Sequence, residues 1–245
     1  MSVSASLKAD EVARFDALAR DWWDSDGPMA PLHRINPIRI GWLIETIARR
    51  FRRQGNVPLE GLSILDVGCG AGLLSEPLSR LGARVTGLDP AAAAIDAARS
   101  HAEATGATLA YRVGEIETLA GEGAQFDVVL AMEVIEHVEN PADFVAVAAS
   151  LVAPGGLICF STLNRTAKSF ALAIVGAEYV LRWLPRGTHH WEQFVTPLEL
   201  TGALRRAQFV VTARRGMVYE PLRRAWRLGD DLGVNYFLAA VARDR

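Results

Sequence analysis

From about residue 62 to residue 163 the chain alternates short apolar runs with segments whose apolar residues recur every three or four positions. That alternation predicts a parallel sheet with helices on both faces, because strands covered on two sides carry continuous apolar runs. Strands are predicted over 62–67, 84–88, 111–113, 126–131 and 156–161, the last one after the Pro154-Gly155-Gly156 turn. Leu73, Leu74, Leu78 and Leu81 mark a helix after the first strand, and an alanine-rich helix over 91–104 follows the second. Before this core, Asn36-Pro37 has the cap and first-turn pattern of a helix start, continued by the apolar stripe Ile38, Leu43, Ile44, Ile47 and Phe51. After it, Thr196-Pro197-Leu198-Glu199 forms a capping-box pattern that opens a helix over Pro197–Arg206. Residues 208–212 and Asn235–Ala242 complete a seven-stranded, mainly parallel sheet, with a basic loop between them. No repeat or Pro/Gly/Ser linker interrupts the pattern. A single α/β domain over 1–245 is therefore expected: a helical cap over 1–60, a core over 61–163, an apolar insertion over 164–191, and the rest of the sheet over 192–245.

Composition narrows the class of partner more than the fold. The 245 residues are 50% hydrophobic and 22% charged, which is globular and far from the make-up of a disordered tail. A net charge of −2 gives no general field that would draw the chain onto nucleic acid. The arginine pairs 205/206, 214/215 and 223/224 lack the interleaved aromatics of a single-strand binder, so a solvated face is expected and no nucleic-acid partner. Cys69 and Cys159 have neither disulfide nor zinc spacing, which fits a reducing cytoplasm. The first 30 residues lack the apolar run of a secretory signal, and nothing reaches the length of about 18 apolar residues that a membrane span needs.

The segment LDVGCGAG places Gly68, Gly70 and Gly72 between a strand and a helix, where missing side chains let backbone N–H groups approach a ligand. The spacing is G-x-G-x-G, which differs from the G-x-G-x-x-G of dinucleotide sites, and Asp66 precedes it inside the strand. Asp89 ends the second strand, where a carboxylate can accept hydrogen bonds from both hydroxyls of a ribose. The plain structural alternative makes Asp89 a helix cap before Pro90.

Taken with VTGLD and FDVVLAMEVIEHV, this loop resembles the core of the Rossmann-like class I S-adenosylmethionine-dependent methyltransferases over about 100 residues. The similarity extends further. Asp21-Trp22-Trp23-Asp24, PLHRINPIR at 31–39, STLNR at 161–165, VGAEYVLRWLPRGTH at 175–189 and Val234-Asn235-Tyr236 resemble the ubiquinone-biosynthesis O-methyltransferases nearly end to end. The resemblance implies S-adenosyl-L-methionine as cofactor and O-methylation of polyprenylated catechol or quinol intermediates at two steps of that pathway. It further implies a polyprenylated phenol or quinol as substrate, other ubiquinone-biosynthesis enzymes as partners, and a cytoplasmic protein peripherally associated with the inner membrane. Carried over by position, Arg39, Gly68, Asp89 and Met132 match the cofactor contacts, with Gly70 and Asp66 beside them. Arg39 suits this role because a guanidinium pairs with a carboxylate in a two-pronged fork.

Glu133, Glu136 and His137 follow the fourth strand at spacings of three and four, which would bring them to one side of a helical turn. A phenol titrates near 10, so its methylation is helped by a base that works near neutrality, and histidine has that intrinsic range. Two readings stay open. His137 is the base with Glu133 and Glu136 beside it, or all three hold Mg²⁺, as eukaryotic relatives of the family suggest, and the ion acidifies the acceptor.

Residues 165–190 are too long and apolar for an ordinary connection. Tyr179 and Trp183, with Arg165, Lys168, Arg182 and Arg186 near the ends, suit a segment over 165–187 lying in the interface of an anionic membrane. A lid packed on the core is the other option. Two further functional classes compete with methyl transfer: a nicotinamide-dependent oxidoreductase, since Asp89 would serve that ribose too, and a non-catalytic subunit that anchors a biosynthetic assembly.

Overall fold

The computed structural model describes residues 12, 13, 16, 19–172, 190–220, 223 and 225–243. Its centre is a sheet of strands β1 (Ser63–Val67), β2 (Arg84–Asp89), β3 (Ala110–Val113), β4 (Phe126–Met132), β5 (Val152–Leu163), β6 (Phe209–Glu220), β7 (Ala225–Gly229) and β8 (Asn235–Ala242). The spatial order is β3-β2-β1-β4-β5-β8-β6-β7. β1 to β5 run parallel, whereas β8 is antiparallel to β5 and β6, and β7 is antiparallel to β6. This is the expected Rossmann-like α/β class with eight strands in place of seven. The extra strand, β7, lies in the stretch read as a basic loop. It pairs with β6 at the sheet's edge, where Tyr219 and Trp226 bring their rings to 5.2 Å. Ala225 and Arg227 are exposed and Trp226 and Leu228 half-buried, so the arginine marks the outer face of a strand.

Helices α1 (Ala30–Phe51), α2 (Ser75–Arg80), α3 (Ala92–Thr105), α4 (Ile116–Gly121), α5 (Pro141–Ser150) and α6 (Pro197–Arg206) cover the sheet. On one face Trp42, Leu43 and Ile47 of α1 and Leu78 of α2 bury against Ile64, Val128, Leu130 and Phe237. On the other, Leu119 of α4, Phe144 and Val145 of α5 and Leu200 and Leu204 of α6 bury against Val129, Ile158, Phe160 and Leu238. Burial from water of apolar surface on both faces is what fixes the layers.

Two expectations about element ends are corrected. α1 begins a turn and a half before Asn36-Pro37, with Pro31 in its first turn, where a proline's missing N–H costs nothing. Asn36 is no cap: it is buried, and its Nδ2 donates to the Leu73 carbonyl at 2.7 Å, tying α1 to the loop after β1. β5 runs through the Pro-Gly-Gly turn instead of starting after it, accommodated by an irregular register between Phe126 and Val128 of β4. The capping box of α6 forms as expected: Thr196 Oγ1 accepts from Glu199 N at 3.2 Å, and Glu199 Oε2 accepts from Thr196 N at 2.8 Å.

Candidate active site

β1 and β4 are neighbours, but the chain leaves them toward opposite sides of the sheet, so their carboxyl ends open a crevice at the switch point. Two pockets meet there, sharing Gly68 and Val134 in their walls. One is an open cleft of about 650 Å³, lined by Trp22, Arg39, Asp66, Gly68, Asp89, Met132, Glu133 and His137 among others. The second, about 310 Å³, is mostly apolar, with Leu88, Pro90, Ile116, Val138 and Phe144 around Gly114 and Glu115.

The glycine loop supplies the floor. Gly68 has φ +67°, and a Cβ there would stand 2.5 Å from Val134 Cγ2, so only glycine lets β1 turn over the strand edge at this spot. Asp89 fixes the loop from β2: its Oδ2 accepts from Gly70 N at 2.9 Å, and its Oδ1 from Ala91 N at 2.9 Å. Both the cap role and the binding role are thus available, because a carboxylate has about four acceptor sites and two remain for a ribose. Burial raises the Asp89 carboxyl above its ordinary range, opposed by these two backbone donors.

Arg39 reaches the cleft from α1 and is almost wholly buried. Its Nη2 donates to the Met132 carbonyl at 3.3 Å, and its buried Nε has no hydrogen-bond partner among the described residues. Burial lowers the guanidinium's pKa, with Glu133, Asp66 and Glu136 acting in the opposite direction. Asp66 accepts from Ser75 Oγ at 2.6 Å and is pushed up to about 6 by burial. At neutral pH, then, one cation and one anion stand at the same wall. That pairing, with an unfilled donor on the cation, fits the carboxylate and ammonium of an amino-acid moiety. Met132 serves two surfaces, closing the cleft and packing into the core below it.

The acid–histidine stretch does not form the shared face expected of it. Glu133 leaves β4 at φ +61°, strained for a residue with a side chain, while its N donates to the Ser161 carbonyl and its Oε1 accepts from Ser161 Oγ, both at 2.9 Å. The next residues make a 3-10 turn over Ile135–His137 that turns Glu136 inward. Glu136 is 4% exposed and accepts from Thr162 Oγ1 at 2.8 Å, whereas Glu133 and His137 line the cleft. Burial, reinforced by the nearby Glu133 charge, raises the Glu136 carboxyl to about 8. It therefore carries its proton at neutral pH. Such a donor set does not suit a hard divalent ion: Glu136 is turned into the core, away from Glu133 and His137 on the cleft, and both carboxyl groups accept from β5 hydroxyls. Among the described residues, no group of three or more His, Cys, Asp or Glu is placed to hold a metal.

The raised Glu136 has a measurable signature. A carboxyl whose folded pKa lies above its unfolded one contributes stability that is complete below the ordinary range near 4.5 and is lost as pH rises through about 8. Glu136→Gln abolishes that dependence. The variant is expected to match wild type near pH 4.5 and to melt at least ~2 °C higher at pH 8.5, the shift that about 1 kcal/mol gives a domain of this size. Thermal melts across that pH range check this, and parallel curves would remove the assignment.

Not every lining residue was visible in the motifs. The apolar pocket around Gly114, Glu115 and Ile116 carries no motif, although these residues follow β3 as Asp89 closes β2, so the same strand-edge rule points to them. Trp22, in the sequence only one residue of a resemblance motif, is a wall of the cleft.

A glycine loop at the β1 edge, a carboxylate at the β2 edge and a mixed sheet ending in antiparallel strands define a Rossmann-like methyltransferase, and comparison with known proteins agrees. Residues 40–214 match the methyltransferase domain family. Among solved structures, the chain is similar to magnesium protoporphyrin IX methyltransferase from Synechocystis PCC 6803 with bound SAH, at TM-score 0.63 and 21% identity, over 94% of each chain. It is also similar to the plantazolicin methyltransferase BpumL in complex with a triazolic desmethylPZN analog and SAH, at TM-score 0.64 and 18% identity, over 96% of this chain and 98% of that one. The ubiquinone biosynthesis O-methyltransferase of Methylocella silvestris is 53% identical over 246 residues, covering 98% of this chain and 96% of its own. That of Methylobacterium nodulans is 56% identical over 237 residues, covering 96% and 95%. The chain belongs to the ubiquinone biosynthesis O-methyltransferase family.

Proposed function

We propose that this protein transfers the methyl group of S-adenosylmethionine to a phenolic oxygen of polyprenylated catechol and quinol intermediates in ubiquinone biosynthesis. The observation that carries the reading is the cleft where Arg39, Asp66, the glycine loop, Asp89 and His137 meet at one sheet edge. When bound, the cofactor supplies an electrophilic methyl on a sulfonium. Arg39 and Asp66 hold the amino-acid end, Asp89 accepts the ribose hydroxyls, and the apolar pocket beside Ile116 takes the adenine. His137, on the cleft wall, takes the acceptor's phenolic proton as the oxygen attacks. Glu133 and the protonated Glu136 shape the wall around it, and no step is routed through Mg²⁺. The G-x-G-x-G loop speaks against a nicotinamide cofactor, and a cleft with a titratable wall speaks against a purely structural subunit.

The test is a mass-resolved assay with S-adenosylmethionine and a short-chain demethyl quinol, run with and without chelator. Methylated product in both arms is expected; no product in either overturns the reading.

Association with the membrane surface belongs to the same proposal, since a polyprenyl acceptor resides in a bilayer. Among the described residues, no helix is long and apolar enough to cross one. Residues 173–189, with Tyr179, Arg182, Trp183 and Arg186, lie outside the described residues. At the described start of the segment, Phe170 and Leu172 are exposed. Arg165 and Lys168 are instead drawn into ion pairs with Glu199 and Asp231, so the charges nearest the core are not free for lipid. The protein is expected to float with liposomes containing anionic lipid, and Trp183→Asp to abolish flotation with cofactor affinity unchanged. Flotation equal to wild type would remove the membrane role of this segment.

A further inference from the structure

Among the described residues, the non-glycine positions with a left-handed backbone are Arg52, Glu133 and Gln208. Arg52 caps the end of α1 and Gln208 follows the end of α6, and a chain leaving a helix commonly takes that conformation. Glu133 has no helix before it. It follows β4 directly and lines the cleft, so the way a helix ends does not account for its backbone. Such strain persists only where the surroundings fix it, and it gathers at sites that use it.

What fixes Glu133 is one residue of β5. Met132 and Ser161 are register partners between β4 and β5, and the residue after Met132 then bonds Ser161 twice. Glu133 N donates to the Ser161 carbonyl, and Ser161 Oγ donates to Glu133 Oε1, each at 2.9 Å. Ser161 is buried, so water does not compete for this anchor. One carboxylate oxygen is thereby held. The other, Oε2, has no hydrogen-bond partner among the described residues, in a side chain that lines the cleft together with His137. Glu136 does not share the task, since it turns inward to Thr162. An ionised carboxylate accepts hydrogen bonds and donates none. Whatever binds at Oε2 must therefore bring a hydrogen of its own.

We propose that Glu133 is the specificity-determining residue for the acceptor: its second oxygen accepts a hydrogen bond from the hydroxyl next to the one that is methylated, and Ser161 is the positioning residue that holds it for this. The inference rests on the reading of the cleft as a site of methyl transfer to a phenolic oxygen, and the two can fail separately. In a catechol or quinol the ring position beside the reacting oxygen carries a hydroxyl, which donates. In a quinone it carries a carbonyl, which a carboxylate repels, so the reduced ring is selected. The same rule limits each catechol to one methyl. The product can bring its remaining hydroxyl to His137 only by turning its ether oxygen toward Glu133.

The experiment measures binding without turnover. A short-chain alkylcatechol, the alkylphenol lacking the neighbouring hydroxyl and the corresponding methoxyphenol are titrated by calorimetry into the full chain saturated with S-adenosylhomocysteine. Wild type is expected to bind the catechol about 10- to 100-fold more tightly than either of the others, the range of a hydrogen bond to a charged group. In Glu133→Gly, which suits a left-handed backbone and so keeps the fold, the three dissociation constants converge to within about threefold. In Glu133→Gln the Ser161 hydroxyl holds the amide oxygen and leaves the NH2 for the acceptor, so the methoxyphenol gains on the catechol. Ser161→Ala narrows the catechol's advantage although Glu133 is present. A merely structural residue would weaken all three ligands alike. The wild-type preference retained in full in Glu133→Gly or Glu133→Gln overturns the proposal, as does equal binding of catechol and phenol by wild type. A preference lost in chelator and restored by Mg²⁺ would give the recognition to an ion and overturn it too. A wild-type chain that binds no S-adenosylhomocysteine, or none of the three phenols, would instead sink the reading of the cleft itself.

Discussion

His137→Ala is expected to lower the methyl-transfer rate by about 10²–10⁴-fold, the usual contribution of a positioned general base. Affinity for S-adenosylmethionine should change less than about twofold. The asymmetry follows from placement. His137 lines the cleft from the 3-10 turn after β4, while the glycine loop, Asp66 and Asp89, which seat the cofactor in the function proposed above, belong to the ends of β1 and β2. What the histidine contributes is then made only in the transition state, so the loss falls on turnover. Raising the pH should partly rescue the variant, because a phenol near its own pKa no longer needs a protein base. Single-turnover rates from pH 7 to 10, with calorimetric titration of the cofactor, measure both quantities. Normal turnover with lost affinity would move His137 from the acceptor to the cofactor.

Asp89→Ala should do the opposite, weakening S-adenosylmethionine by about 1–3 kcal/mol, the cost of leaving hydrogen-bonding groups unmatched. That corresponds to a rise in Kd of roughly 5- to 150-fold. Part of this loss arises inside the protein, since Gly70 N and Ala91 N both give their hydrogens to this carboxylate. Asp89→Asn separates the two contributions. Its amide oxygen can keep one backbone donor but offers fewer acceptor sites to a ribose, so its affinity should fall between those of wild type and alanine. Titration calorimetry on all three proteins checks the order. An alanine variant that binds as tightly as wild type would mean the ribose lies elsewhere.

The parts of this fold that were legible in the chain are those where one local rule acts alone. Apolar runs gave the five parallel strands, and the capping box at Thr196 and Glu199 marked the start of α6 to the residue. Where two rules compete, the pattern misled. Asn36-Pro37 has a cap signature, but Pro31 starts the helix earlier, and Asn36 is spent on the Leu73 carbonyl, a tertiary bond that no local pattern encodes. β7 was hidden because its exposed face carries arginine. In the site, residues at strand ends were legible because the edge of a parallel sheet is where ligands bind. The divergence of Glu136 from Glu133 and His137 was not, for it depends on a left-handed backbone at Glu133 and on hydroxyls of β5, a strand distant in sequence. Nor could spacing show that Trp22 would lie on Gly70.

Both outer strands of the sheet carry an arginine at an exposed inner position. On β3, Arg112 is clasped by Glu122 in two hydrogen bonds, and on β7, Arg227 is paired with Glu220. A strand offered by another molecule would have to lie beside these ion pairs, and edges of four and five residues give it little backbone to bond. The sheet is thereby closed to growth at both margins. Copies of the protein are thereby kept from pairing with one another edge to edge.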